Sequence, residues 1–99
     1  MAEITQFVND DAGYCDWLDR FPQGFVLNTN RIPKAGYLVL HRALCKHINS
    51  LNRTNWTTSG YIKTCSLDVN ALEEWALRET GGALNPCGAC TPEIKRSHF

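Results

Sequence analysis

The chain has 99 residues, 43% of them hydrophobic and 20% charged, with ten basic residues balancing ten acidic ones. That length supports one modest core and excludes a second. The composition excludes wholesale disorder, no apolar run approaches a membrane span, and zero net charge argues against a strongly basic nucleic-acid binder.

In chain order, the acidic opening MAEITQFVNDD lacks a basic start followed by a long apolar stretch, so no secretory signal is expected, and the cytoplasm is the expected compartment. Asn9 or Asp10 can cap a first helix running to about Arg20. Its apolar face is Tyr14, Trp17, Leu18 and Phe21, at i, i+3, i+4 and i+7. Pro22 and Gly24 stop it. A strand is expected over Phe25 to Asn28, a loop through Pro33 and Gly36, and a second strand over Tyr37 to Leu40. Ala43 to Asn49 can form a short helical turn, followed by a polar loop to Gly60. Tyr61 to Cys65 alternates as a third strand. Ser66 or Asp68 caps a helix over about Val69 to Glu79, with Val69, Leu72, Trp75 and Ala76 inward and Gly81 and Gly82 after its end. The expected fold is α+β: a three-stranded antiparallel sheet, two helices covering one face, and a C-terminal zinc knuckle. Residues 1–92 are expected to form a single zinc-binding domain, and 93–99 a flexible tail.

Charge is unevenly distributed. Between Arg20 and Leu67 there is no Asp or Glu, whereas Arg20, Arg31, Lys34, Arg42, Lys46, Arg53 and Lys63 all lie in that span. A neutral chain divided in this way can present one positive face, or its acidic segments can neutralise the basic one in space.

Five cysteines is an odd count, so a disulfide framework leaves one over, whereas a metal site plus a buried thiol accommodates them. Cys87 and Cys90 form a C-x-x-C pair with Gly88 in the turn. A redox pair normally opens a helix in a βαβ setting; this pair follows a helix and precedes Pro92, which favours zinc. Further ligands must come from earlier in the chain. His41, Cys45 and Cys65 are the candidates, while Cys15 lies off the apolar face of the first helix. Each can also be read as an ordinary buried residue.

LHRALC, then a strand, then SLDVNALEEWA, then Asn85-Pro86-Cys87-x-x-Cys90-x-Pro92, resembles the Ada-type zinc domain of DNA methylphosphotriester repair and its wider relatives. The resemblance covers roughly Tyr37 to Pro92. It implies zinc held by His41, Cys45, Cys87 and Cys90, with Cys65 at a hydrophobic strand position and an alternative fourth ligand. His41 stands where the repair domain carries its methyl-accepting cysteine. Imidazole on zinc is a much weaker nucleophile than a zinc thiolate, so an alkyl-transfer role ranks last. The whole chain also resembles small uncharacterised bacterial proteins of the pattern W-L…P-x-G-[FY]-V-x-N…L-H-R-A-x-C…C-x-x-C-x-P.

Four protein ligands make a closed, structural site, since catalytic zinc keeps an open position. No phosphate loop, paired-carboxylate motif or nucleophile elbow occurs. No acid accompanies the earlier ligands, and His47 is the one general base at hand, so an enzyme is not expected. The expected function is DNA binding, with Arg42, Lys46, Arg53 and Lys63 on phosphates and Asn55 and Trp56 reaching bases. The alternative is a protein-interaction module whose partner has an acidic face. No membrane partner is expected.

Overall fold

A computed structural model of the chain describes residues 3–50, 55–90 and 92. The elements are β1 (Thr5–Phe7), α1 (Asp11–Arg20), β2 (Phe25–Asn30), β3 (Leu38–Arg42), β4 (Tyr61–Ser66), α2 (Val69–Thr80) and β5 (Asn85–Pro86). Both helices begin at aspartates. Asp10 accepts a hydrogen bond from the Gly13 amide at 2.9 Å, and Asp68 accepts one from the Asn70 amide at 3.0 Å. These carboxylates satisfy amides that the first helical turn leaves without partners. α2 ends at Gly81, whose φ of 75° is the left-handed conformation that glycine adopts without a Cβ clash.

The fold is α+β with two helices, but the sheet is not three antiparallel strands. It has five strands in the order β1-β4-β2-β3-β5. β1, β4, β2 and β3 pair antiparallel, and β5 joins β3 in parallel. The added edge strands are three and two residues long, too short to show any periodicity. Pro86 is tolerated in β5 because the outer side of an edge strand needs no amide donor. The expected helical turn over 43–49 is instead a run of hydrogen-bonded turns.

The two helices also do not share a face. Val26 and Leu27 are successive residues of β2, both fully buried, and they point to opposite sides of the sheet. Val26 packs with Tyr14, Trp17 and Leu18 of α1 and with Cys65. Leu27 packs with Leu38, Leu40 and with Leu72, Trp75 and Ala76 of α2. The sheet therefore lies between two helices. An uninterrupted apolar run such as FVL suits a strand covered on both faces, where strict alternation is not required. Among the described residues no helix is long and apolar enough to cross a membrane.

Two contacts tie the α1 side of the core to the loops around the site. The Tyr14 hydroxyl donates to the Ile48 carbonyl at 2.6 Å, anchoring the loop that follows β3. The Asp11 carboxylate accepts from the Thr57 amide at 2.7 Å and from the Thr57 hydroxyl at 2.8 Å, anchoring the segment that precedes β4.

Candidate metal centre

β3 runs two residues beyond the expected end at Leu40, which places His41 inside a strand. His41 pairs with Val26 and so faces the α1 side of the sheet. A tight turn after β3, closed by the Cys45 amide on the Arg42 carbonyl at 2.9 Å, brings Cys45 back to the same side. The parallel pairing of β5 with β3 continues through the Cys87 amide on the Leu40 carbonyl at 2.8 Å, which sets Cys87 beside His41. The Gly88 turn then carries Cys90 to β3, where its sulfur accepts from the Arg42 amide at 3.3 Å.

The outcome is a cluster of His41, Cys45, Cys87 and Cys90 that could hold a metal ion, with all four ligand atoms within 4.8 Å of one another. The Cys45 and Cys87 sulfurs are 4.0 Å apart, far beyond a disulfide bond. Tetrahedral coordination with metal–sulfur bonds of about 2.3 Å separates two sulfurs by about 3.8 Å, so the cluster already has near-ligand spacing. The donor set passes a second test. Nδ1 of His41 is buried and has no hydrogen-bond partner. Such an atom is costly unless something accepts its lone pair, and a cation does so.

The electrostatics agree with this. Burial, aided by His47 and Lys63, lowers the His41 pKa to about 4, so its imidazole is neutral and able to ligate. Burial raises the Cys45 thiol, and the neighbouring Cys90 and Cys87 raise it further. Cys87 behaves differently. Burial works against its thiolate, but hydrogen bonds from the Cys90 and Ala89 amides and from the Cys45 and Cys90 side chains together outweigh it and bring the pKa down. Three thiols this close cannot all ionise alone; a divalent cation removes the conflict by neutralising them.

Cys65 is fully buried and stands outside the cluster. Burial pushes its pKa up, so it remains a thiol in the core. Cys15 is exposed on α1, and burial together with Asp11 and Asp19 raises it as well. His47, the general base considered from the sequence, lies beside the centre with its Nδ1 at 3.8 Å from the Cys87 sulfur.

A cleft of about 760 Å³ adjoins the centre and shares His41 and Cys87 with it as lining residues. Lys46, Lys63 and His47 also line it, as do Asn28, Asn55 and Asn85 and the aromatic residues Tyr37, Trp56 and Tyr61. None of the described lining residues is an Asp or Glu. The acid-free span of the sequence supplies most of this lining, and Asn85, Pro86, Cys87, Gly88 and Ala89 supply the rest.

The residues expected to touch nucleic acid are distributed unevenly. Lys46 and Asn55 are exposed at the cleft. Arg42 is exposed, and its Nε donates to the Cys90 carbonyl at 3.1 Å, clamping the knuckle to β3. Lys63 is not a surface contact: only 4% exposed, it donates to Asn28 Oδ1 at 2.8 Å and to the Trp56 carbonyl at 2.6 Å. Trp56 is 3% exposed and packs on Tyr14, so it is a core residue and does not present its ring for stacking on a base. Tryptophan in a polar loop gains more from burying its large ring than from solvent. Arg53 and the 93–99 tail lie outside the described residues. Asn28, Tyr37, Tyr61 and Asn85 were not singled out by sequence. They come from separated segments, and no local pattern joins them.

Comparison of the chain with protein-family models, with curated proteins and with solved structures finds no match.

Proposed function

We propose that the chain is a zinc-stabilised DNA-binding domain whose metal centre is structural. Three thiolates and one imidazole are the soft and borderline donors that zinc takes, and four protein ligands leave no open position for water. The Ada-type resemblance belongs to the same proposal, since His41-x-x-x-Cys45 and Cys87-x-x-Cys90 are the two pairs it assigns to zinc. With His41 bound, the centre is a brace: it joins β3, the loop after it and the turn after β5 around one ion.

The observation that carries the binding reading is the cleft beside the centre, with Lys46 and Lys63 among its described lining residues and no carboxylate. A concave surface of this kind concentrates an anionic partner. The amides and the Tyr37 and Tyr61 rings beside the lysines are of the kind that contacts sugar and base once phosphates have positioned a strand.

The test is DNA binding across a salt series. Affinity should fall linearly in log–log form, and Lys46→Ala should lessen the slope by about one ion, with melting temperature unchanged. Absence of binding at low salt, by protein carrying its metal, would reject the DNA reading. Retention of nuclease-resistant protein partners in that case would point to an acidic protein instead.

A further inference from the structure

Charge explains attraction to a strand but not the aromatic lining of the cleft. The Tyr37 and Tyr61 rings lie 5.5 Å apart, centroid to centroid, inclined at 39°. Both line the cleft, and Tyr61 is 39% exposed. A paired duplex offers no base face to such rings, because its bases are stacked on one another. An unpaired nucleotide does offer one.

The polar groups are arranged in the same sense. Asn28 is held in place by two bonds: its Oδ1 accepts from Lys63 at 2.8 Å, and its Nδ2 donates to the Tyr37 hydroxyl at 3.2 Å. An amide has two donor hydrogens and two acceptor lone pairs, so these bonds leave one of each. A donor beside an acceptor is the pattern that reads a base edge. The bond to Tyr37 also couples the orientation of this amide to that of the aromatic pair. The cleft volume of about 760 Å³ lies in the range of sites that enclose small organic ligands, and so accommodates a nucleotide. Lys46 is exposed at the cleft, where a flanking phosphate can reach it.

We infer that the cleft receives a single unpaired nucleotide of a DNA strand, with its base against the Tyr61 ring, its edge on Asn28 and a neighbouring phosphate on Lys46. This rests on the DNA-binding reading and narrows it from a charged surface to a site for one unstacked base.

Two duplexes of equal length test it, one with an abasic site facing thymine and one fully paired. Both then carry the same phosphates and differ in whether an internal base is unpaired. The first should bind on the order of tenfold more tightly, the gain expected from stacking one base on an aromatic ring. Tyr61→Ala should bring the two affinities together, and Tyr61→Phe should keep the preference because the ring is retained. The Tyr61 side chain is partly exposed, and unchanged melting temperatures would show that both variants fold. Equal wild-type affinity for the two duplexes would overturn the inference and leave the DNA-binding reading standing, as would a preference that survives Tyr61→Ala. Binding to neither duplex at low salt would overturn both.

Discussion

His41 and Cys65 both pair with Val26, one from β3 and the other from β4, yet only His41 belongs to the metal cluster. The three residues form one row across the same face of the sheet. Strands lie about 4.8 Å apart, so the backbones at His41 and Cys65 are about 9.6 Å from each other with Val26 between them. Cys45, Cys87 and Cys90 gather at the His41 end of the row. Cys65 remains at the other end, buried against α1. Cys65→Ala should therefore keep about one metal ion per chain at a cost of about 1 kcal/mol in stability, whereas His41→Ala should lose the ion or bind it far more weakly. Metal analysis of the two purified variants decides between them, and the opposite pattern would place Cys65 in the coordination sphere.

Removing the metal should collapse the domain's stability. A bound ion would join segments some forty residues apart and give three crowded thiols and the buried His41 imidazole a common partner. Structural zinc contributes apparent binding free energies of about 10–16 kcal/mol in small domains, comparable with or larger than the whole stability of about 5–15 kcal/mol typical of a domain. A chelator should lower the melting temperature by more than about 20 °C, and added zinc should restore it. A melting temperature unmoved after complete metal removal would mean that the fold does not depend on the centre.

Trp56 separates packing from recognition. Its ring centroid is 6.1 Å from that of Tyr14, and its carbonyl accepts from Lys63. Trp56→Ala should cost about 3–5 kcal/mol, the range for deleting a large buried ring. Trp56→Phe should recover part of that loss. Its DNA affinity, measured where it is folded, should match the wild type. Loss of DNA affinity in Trp56→Phe at unchanged urea midpoint would show instead that the indole itself touches the strand.

The Asp11–Thr57 contact predicts an acid-side loss of stability. Burial alone would raise the Asp11 pKa, but hydrogen bonds from the Thr57 side chain and from the amides of Thr57, Asn55 and Trp56 bring it below the ordinary value of 3.8. A carboxyl group depressed on folding stabilises the native state fully above its unfolded pKa, and the contribution is lost as pH falls through the folded value. Asp11→Asn should thus be less stable than wild type at pH 6 by about 1–2 kcal/mol, a partly solvated charge-assisted contact. The gap between the two proteins should stay constant down to about pH 5 and narrow below about pH 4. Paired urea titrations follow the gap directly, and a gap that does not change with pH would detach it from the ionisation of Asp11.

The sequence by itself determined the elements whose signal is local. α1 and α2 repeat apolar residues at helical spacing behind a capping aspartate, and each is long enough for the pattern to register. The C-x-x-C turn and the H-x-x-x-C pair were legible because metal ligands within one segment have to be close in sequence. Only the tertiary structure decided what depends on strand pairing. β1 and β5 exist because partner strands accept their hydrogen bonds, since three and two residues carry no periodicity of their own. The placing of the helices on opposite faces follows from Val26 and Leu27 pointing opposite ways in a strand buried on both sides, a run that reads the same whichever face each helix covers. The choice between His41 and Cys65 was open for the same reason: chain distance does not say how many strands separate them. The cleft draws Asn28, Tyr37, Tyr61 and Asn85 from four parts of the chain. The registers of β2 with β3 and β4, and of β3 with β5, are what set these side chains around one space, because each register fixes both the neighbours of a residue and the face on which it lies.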